Sequence, residues 1–325
     1  MDDLAPWKPE ERPDALPHYP GREKVLPLAE AIQRHVRPGA SLVMGTCLEQ
    51  MIPFATSREI IRQGIGDLTL VGPVSDIAFD QVIGAGFARR VMAAWVGNVM
   101  MGSAYCFRRA VERGEPRPIE VVEFTNFTLA LALHAAAIGV PYIPARTALG
   151  SDVVGRNPYL VPFTDPEAGT RLLRVRALQP DVAIVHVQRA DPHGNGLAWG
   201  SLGITADAVR ASRAVIVTAE EIVPPETIRR DPNRVAVPGI VVAAVCEARW
   251  GAHPSPAQGY YNRDHAAYRE YHAATRTAEG YADWRSQWVD EAPDLPAYVR
   301  RLGNERVHGL IPLEHRFPEP VDYGY

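Results

Sequence analysis

The chain has few cysteines, and none lies near another. Cys47, Cys106 and Cys246 are the three cysteines among 325 residues, and no CxxC pair occurs. An odd number of scattered thiols argues against both a disulfide framework and a zinc ribbon. HExxH, HxxxH and facial-triad spacings are also missing, so we expect no bound metal. This cysteine usage fits a reducing compartment, and we expect a cytoplasmic protein.

Long apolar runs and concentrated positive charge are missing as well. Glycine, proline or charge interrupts every apolar stretch before it reaches the roughly 18 to 20 residues that cross a bilayer. The formal net charge is −4, and no dense Lys/Arg stripe is present to neutralise phosphates. We therefore expect neither a membrane span nor a nucleic-acid surface. The GxSxG motif, the P-loop and a complete GxGxxG are absent too.

The two ends of the chain differ in composition from its middle. Residues 1–23 are acidic and proline-rich, without the basic segment and apolar core of a signal peptide, which predicts an N-terminal arm. The hydrophobic content of 46% supports a sizeable core, and residues 24–272 are assigned to one α/β domain. Residues 273–325 are polar and aromatic, which predicts a C-terminal helical extension and tail.

Short apolar runs alternate with helical patterns through the central region. Residues 181–187 are almost all apolar and β-branched, which is typical of a strand covered on both faces of a parallel sheet. Residues 235–245 form two extended runs split by Pro238 and Gly239, which predicts a hairpin or a switch between sheets. We predict an α/β fold with a mostly parallel, doubly wound sheet, flanking helices and peripheral C-terminal helices. Further strands are predicted at 41–44, 68–71, 91–95 and 119–122, and a short helix and a second buried strand are predicted between residue 196 and residue 223. Helices are predicted at 28–36 and 127–138, and another helix carries Ile60 and Ile61 and ends at Gly64.

Small or polar residues follow three of the predicted strands, at 45–50, 71–76 and 95–98. Glycines in such loops let backbone N–H groups approach a ligand, and ligands bind where parallel strands end. A tight strand-to-helix turn explains any one of these loops. Three loops in the same topological position favour a ligand site at the carboxyl edge of the sheet.

Glu123, Asn126 and Arg146 are further candidates with two interpretations each. Glu123 either orients a substrate or acts as acid or base, or it only favours the positive end of the following helix. Asn126 is best explained as the cap of that helix. Arg146 either clamps a carboxylate or pairs with Asp152.

His186, Asp191 and His193 are residue types that bind metals, but simpler explanations suffice. His186 lies inside an apolar strand, where a hydrogen-bonded core histidine is more common, and Asp191 to Gly194 is a plain turn sequence. Cys47 follows a strand and has no identified histidine partner, so we predict a packed small hydrophobe.

Several motifs in order also resemble the α (A) subunits of family I CoA-transferases, in particular the glutaconate CoA-transferase A branch. The similarity runs from about residue 25 to about residue 271. The most specific segments are EFTNFTLALALHAAAIGVPYIPARTALGSD, DVAIVHVQRADPHGN, EEIVPPETI, VPGIVV and GAHP. The resemblance implies the CoA-transferase (NagB/RpiA-like) fold. It also implies a place in fatty-acid or ring-compound catabolism.

The same resemblance implies that this chain is half of an enzyme. In that family a homologous β subunit supplies the catalytic glutamate, which becomes a glutamyl-CoA thioester, and the pair doubles into a heterotetramer. The substrates are an acyl-CoA and a carboxylic acid, and no cofactor is bound. This chain would line the substrate site with Gly45, Gln50, Ser75, Gly97, Asn98, Asn126 and Arg146, and its candidate catalytic carboxylates are Glu49 and Glu123.

Two departures from the family pattern bear on the reaction. The first loop of many α subunits carries an arginine shortly before its proline, whereas this chain has EQMIP at 49–53. A C–C hydrolase branch has a carboxylate near the position of Asn126, and an amide cannot act as a base, which favours transfer. A hydrolase or decarboxylase on the same scaffold and a non-enzymatic metabolite-binding subunit stay as alternatives. The last of these lacks support from any basic helix-turn-helix segment.

Overall fold

A computed structural model describes residues 22–312 of the chain. Its main sheet has nine strands, and the parallel strands in it are ordered β12-β10-β8-β1-β2-β3-β4. The short β9 and β11 extend the carboxyl end of β8 in antiparallel pairing. The strands are β1 (Ser41–Val43), β2 (Leu68–Val74), β3 (Ala88–Trp95), β4 (Glu120–Glu123), β5 (Tyr142–Ala145), β6 (Leu160–Thr164), β7 (Arg171–Arg176), β8 (Val182–Ala190), β9 (Gly196–Leu197), β10 (Ala214–Ile222), β11 (Val235–Val237) and β12 (Val242–Glu247).

Helices cover both faces of the sheet, because successive strand residues point to opposite sides. Leu42 packs toward α1 to α4, whereas its neighbour Val43 packs toward α5 and α7. This is the predicted doubly wound arrangement, which is confirmed. The helices are α1 (Leu28–His35), α2 (Phe54–Gln63), α3 (Asp76–Gly84), α4 (Tyr105–Arg113), α5 (Asn126–Ala137), α6 (Asp152–Arg156), α7 (Thr205–Ala211), α8 (Pro225–Arg229), α9 (His265–Ala274), α10 (Ala278–Arg285), α11 (Leu295–Leu302) and α12 (Asn304–Leu310).

The C-terminal helices pack on the body of the domain through aromatic side chains. Tyr268 and Tyr271 of α9 are buried against Phe54 of α2 and Ile77 of α3. The predicted peripheral helices are therefore present. Helix α9 runs across position 272, where the boundary between domain and tail was predicted, and that division stays a prediction.

Local sequence signals set the end of α2 and the start of α5, and the first of these was predicted. Helix α2 ends before Gly64, which adopts φ 65° and is the residue type that tolerates this left-handed conformation best. Helix α5 begins after Thr125 and not after Asn126. Thr125 forms a capping box with Thr128, so the prediction that Asn126 caps this helix is wrong.

Two other expectations about strands need correction. Strand β2 does not end at Gly72 but continues through Pro73 to Val74, beyond the point where the neighbouring β1 ends opposite Val71. Pro238 and Gly239 do break the chain, but they create neither a hairpin nor a sheet switch. A 3₁₀ turn follows, and the flanking β11 and β12 belong to the same sheet. The small antiparallel sheet β5-β7-β6 was not predicted.

Within residues 22–312, no helix is both long and apolar enough to cross a bilayer. The predicted N-terminal arm, apart from its last two residues, and the end of the predicted tail from residue 313 lie outside the described residues.

Candidate functional site

The topological switch point of the sheet lies between β1 and β8. From β1 the chain builds outward through β2, β3 and β4, and it then returns to place β8, β10 and β12 on the other side of β1. The chain leaves β1 for α2 on one face of the sheet and leaves β8 for α7 on the other face, and α/β sheets commonly bind ligands in the crevice at such a point. The candidate site lies at this crevice.

The loop that follows β1 has a strained backbone. Gly45, Leu48 and Met51 have φ values of 67°, 64° and 54°, and the last two carry side chains that disfavour this region. A Cβ at Gly45 would lie 2.7 Å from the Ser75 Oγ, so only glycine fits there. Strain of this kind costs on the order of 1–3 kcal/mol per residue and clusters at functional sites.

Contacts from distant segments hold this loop in place. The Ile204 N–H donates to the Thr46 carbonyl at 2.9 Å, and the Met51 N–H donates to the Pro256 carbonyl at 3.0 Å. The Gln50 Nε2 donates to the Ser201 carbonyl at 2.8 Å, which ties the loop tip across the crevice. The predicted ligand residues Gly45 and Gln50 therefore lie at the switch point.

Glu49 at the tip of this loop forms an ion pair with Arg263. The Arg263 Nη2 donates to the Glu49 Oε2 at 2.8 Å and to the Glu49 carbonyl at 3.3 Å. The Glu49 side chain is 57% exposed and the Arg263 side chain 21%. Sequence reasoning missed Arg263, since 214 positions separate the two residues and no local pattern joins them.

Asp76 is a buried carboxyl at the end of β2, and it was also missed as a site residue. Its Oδ1 accepts the N–H groups of Ile77 and Val99, at 2.8 and 3.1 Å. Burial raises the pKa of Asp76 to about 6, although the Tyr268 hydroxyl and the two backbone N–H groups lower it in part. Its φ of 51° is a further strained feature at this edge. A left-handed, buried and perturbed carboxyl is typical of a functional site.

We expect Asp76→Asn to stabilise the protein at pH 7 by about 1–3 kcal/mol, because two pKa units correspond to roughly 3 kcal/mol. The folded-state pKa is above the unfolded value, so wild-type stability from this group is present below about pH 4 and is lost as the pH rises through about 6. Asparagine tolerates positive φ and does not titrate. Urea unfolding of both proteins from pH 4 to 8 measures the difference, and a difference that does not change with pH would contradict this assignment.

The predicted residues Ser75 and Asn98 are buried and bonded within the chain. The Ser75 Oγ donates to the Met44 carbonyl at 3.0 Å. The Asn98 Nδ2 donates to the Tyr268 carbonyl, while its Oδ1 accepts the N–H groups of Met100 and Met101. These side chains hold the loops that follow β2 and β3. Gly97 lies in the latter loop, and substrate contact by any of the three stays a prediction.

Glu123, Asn126 and Arg146 lie apart from the switch point. Glu123 ends the edge strand β4, three strands from β1, which is about 14 Å at roughly 4.8 Å per strand. Asn126 is exposed at the first turn of α5, and Arg146 is exposed directly after β5 of the small sheet. No ion pair joins Arg146 to Asp152 in the described part of the chain, so that predicted pair is not formed.

A buried polar network lies beneath the carboxyl edge and centres on Glu220. The Glu220 Oε1 accepts the Tyr261 hydroxyl at 2.5 Å and bonds with the His186 Nε2 at 2.8 Å. The Glu220 Oε2 accepts the Trp250 N–H at 2.8 Å. His186 also contacts Thr218 through its Nδ1, which confirms a hydrogen-bonded core histidine. The network joins β8, β10 and the 248–264 segment.

The polar residues after β8 hold that loop together. The Asp191 Oδ1 accepts the N–H groups of His193 and Asn195, at 3.0 and 2.9 Å. The Asn195 Oδ1 accepts the Gly239 N–H, and the buried Lys24 Nζ donates to the Gly239 carbonyl at 2.7 Å. The predicted turn is confirmed, and the motif fixes the backbone beside the crevice.

Cys47 beside the crevice is not an activated thiol. It is buried, and burial raises the pKa of its thiol, although contacts with Thr205 and Thr46 lower it in part. Over residues 22–312, no group of three or more His, Cys, Asp or Glu side chains is arranged to hold a metal ion. The residues described around the crevice therefore offer polar groups for binding, and they include neither an activated thiol nor a group of metal ligands.

The sequence and the fold are similar to those of known proteins. Residues 25–248 match the family model described as Coenzyme A transferase. The chain is 36% identical to the α (A) subunit of 3-oxoadipate CoA-transferase from Pseudomonas knackmussii over 279 residues, 86% of this chain and 98% of the relative.

Two other relatives extend the comparison. The α (A) subunit of glutaconate CoA-transferase from Acidaminococcus fermentans is 31% identical over 88% of this chain and 94% of its own. A crystal structure of that transferase superposes with a TM-score of 0.84 at 30% identity, over 89% of this chain and 96% of that chain. A cholesterol ring-cleaving hydrolase subunit of Rhodococcus jostii is 29% identical over 88% of this chain and 98% of its own.

Proposed function

The chain belongs to the Coenzyme A transferase family, and on that premise we propose that it is the α subunit of a heteromeric acyl-CoA:carboxylate CoA-transferase. A homologous β subunit would supply the catalytic glutamate. The glutamate carboxylate and an acyl-CoA give a glutamyl-CoA thioester and a free acid, and an acceptor acid then takes the CoA and regenerates the carboxylate. No cofactor enters this cycle.

One observation carries the proposal: the carboxylates and the thiol that the structure describes around the crevice are each ion-paired, hydrogen-bonded or buried. Glu49 is paired with Arg263, and Glu220 is only 2% exposed beneath three hydrogen-bond donors. Cys47 is buried. Polar walls without a free nucleophile are what one half of a shared active site provides.

The acids that two relatives are named for suggest the substrate class. 3-Oxoadipate and glutaconate are dicarboxylic acids, and we propose that this chain also serves transfer to or from a dicarboxylic acid of fatty-acid or ring-compound catabolism. Three unpaired cysteines, all buried, support a place in the cytoplasm. We further propose an α2β2 assembly, which light scattering of the purified pair would measure.

The residue type at position 126 also favours transfer over hydrolysis. Asn126 carries an amide, which cannot take up a proton as a general base, and it lies at the start of α5 beside the edge strand. Hydrolysis would release a carbon fragment from the thioester without any acceptor acid.

Exchange kinetics test the proposal directly. We expect the co-purified pair of subunits to move CoA from acetyl-CoA to C4, C5 or C6 mono- or dicarboxylic acids with ping-pong kinetics. The isolated chain should show less than about one-thousandth of that rate, because it lacks the attacking carboxylate. Absence of exchange with all these acids, or product formation without an acceptor, would overturn it.

A further inference from the structure

Arg263 places a guanidinium at the loop whose own sequence lacks an arginine. The loop carries EQMIP at 49–53, and Arg263 reaches its tip from a segment 214 positions away. The cation is thus supplied by tertiary structure. It bonds with Glu49, which lies between the strained residues Leu48 and Met51 in the loop.

Of the Nε and Nη2 groups of the Arg263 guanidinium, only Nη2 has a hydrogen-bond partner in the described part of the chain. Its Nη2 bonds with Glu49, whereas its Nε is enclosed and has no hydrogen-bond partner in the described part of the chain. An enclosed donor without an acceptor destabilises the folded protein. The Nε and Nη2 together form the fork that takes a carboxylate through two parallel hydrogen bonds. Glu49 accepts a hydrogen bond from only one of these two donors, Nη2.

Glu49 is held weakly enough to be replaced. Its side chain is 57% exposed, and an ion pair of that exposure contributes little to stability. Exchange of one carboxylate for another leaves the local charge unchanged, so no isolated charge is created. A ligand carboxylate that engages both Nε and Nη2 would also satisfy the enclosed donor.

We propose that Arg263 binds the non-reacting carboxylate of a dicarboxylic acid, and that Glu49 occupies this position until the substrate displaces it. The inference rests on the proposed transferase function and names the residue that selects its substrate class. Arg263 is thereby a specificity-determining residue, and Glu49 is a competitor for its guanidinium. Phosphate groups of CoA share the same anionic chemistry, so the test separates the two sources.

The test compares dicarboxylic with monocarboxylic acceptors in the assembled enzyme. Succinate, glutarate and adipate are paired with butanoate, pentanoate and hexanoate, with acetyl-CoA as donor. We expect Arg263→Gln to lower the ratio of dicarboxylate to monocarboxylate kcat/KM by about 10–100-fold, as the loss of a charge-assisted pair does. Arg263→Lys keeps the charge but lacks the fork, and it should lower the ratio by a smaller factor.

Two further variants sharpen the result. Glu49→Gln should lower KM for the dicarboxylate severalfold, because it removes the competing carboxylate. Arg269→Gln, an exposed arginine on α9, is the matched control and should leave the ratio unchanged. The Arg263→Lys variant keeps the experiment decisive if Arg263→Gln does not fold.

Four outcomes would overturn the inference. An equal effect of Arg263→Gln on both acid classes would assign it a structural role, and a raised KM for acetyl-CoA alone would assign it to CoA phosphates. A loss of kcat in Glu49→Gln with KM unchanged would make Glu49 the catalytic carboxylate that the sequence suggested. Wild-type exchange with monocarboxylates alone would overturn the inference but leave the transferase function intact, whereas no exchange at all is the failure of that function.

Discussion

Glu220→Ala should lower the free energy of unfolding by about 3–5 kcal/mol, the range seen when one partner of a buried charged network is removed. Glu220 is 2% exposed and accepts hydrogen bonds from Tyr261 and the Trp250 backbone, and it also bonds with His186. The substitution leaves these donors buried and unsatisfied beneath the crevice. Urea unfolding at pH 7 measures the loss.

The neighbouring residue provides a matched control. Glu221 is the next residue of β10, and its side chain is 37% exposed in an ion pair with Arg189. Glu221→Ala should change stability by no more than about 1 kcal/mol, as surface ion pairs do. Equal effects of the two substitutions would show that the Glu220 network does not hold this edge of the sheet.

Arg306→Ala should lower the free energy of unfolding by about 2–3 kcal/mol and loosen the C-terminal helices. Arg306 on α12 contacts Asp264 through Nε at 2.5 Å and Nη2 at 3.1 Å, and it also contacts Glu270. Asp264 is 2% exposed and also bonds with His253. Without Arg306 the buried Asp264 carboxylate would lose this ion pair and keep its hydrogen bond with His253. Differential scanning calorimetry would detect the lower Tm.

The same substitution should change how the free energy of unfolding depends on pH in the acid range. Burial by itself raises the pKa of Asp264, but hydrogen bonds from His253 and Arg306 outweigh it and hold that pKa well below its usual range. The stability from Asp264 is therefore present above about pH 4, near the unfolded pKa, and is lost as the pH falls through the folded pKa.

In Arg306→Ala, the free energy of unfolding should fall less steeply on acidification than it does in the wild type. The exposed pair of Arg301 with Glu291 serves as the control. Arg301→Ala should change stability by less than about 1 kcal/mol at any pH. A steep acid limb retained in Arg306→Ala would contradict the role given to Asp264.

The parts of the fold that the sequence predicted are those fixed by local pattern. The apolar run 181–187 needs no distant information to become a central strand, and Gly64 ends a helix by its own conformational freedom. The start of α5 was harder, because Thr125 and Asn126 are both good caps. The hydroxyl of Thr128, three residues after Thr125, decides between them.

The candidate site was predicted only at the level of its loops. Gly45 and Gln50 lie at the switch point as the strand-end pattern indicated. Arg263 reaches Glu49 only through the fold, and an aspartate adopts the left-handed backbone of Asp76 too rarely to predict it from residue type. Glu123 was grouped with these residues because it also follows a strand, but sequence alone does not show that β4 is the edge strand.

The central claim is that the attacking carboxylate comes from the partner subunit. Incubation of the assembled enzyme with acetyl-CoA alone, followed by mass spectrometry of the intact subunits, tests it most directly. We predict that CoA is added to a glutamate of the partner and that none is added to this chain. A CoA thioester on Glu49 or Glu123 of this chain, or its formation by this chain without the partner, would contradict the claim.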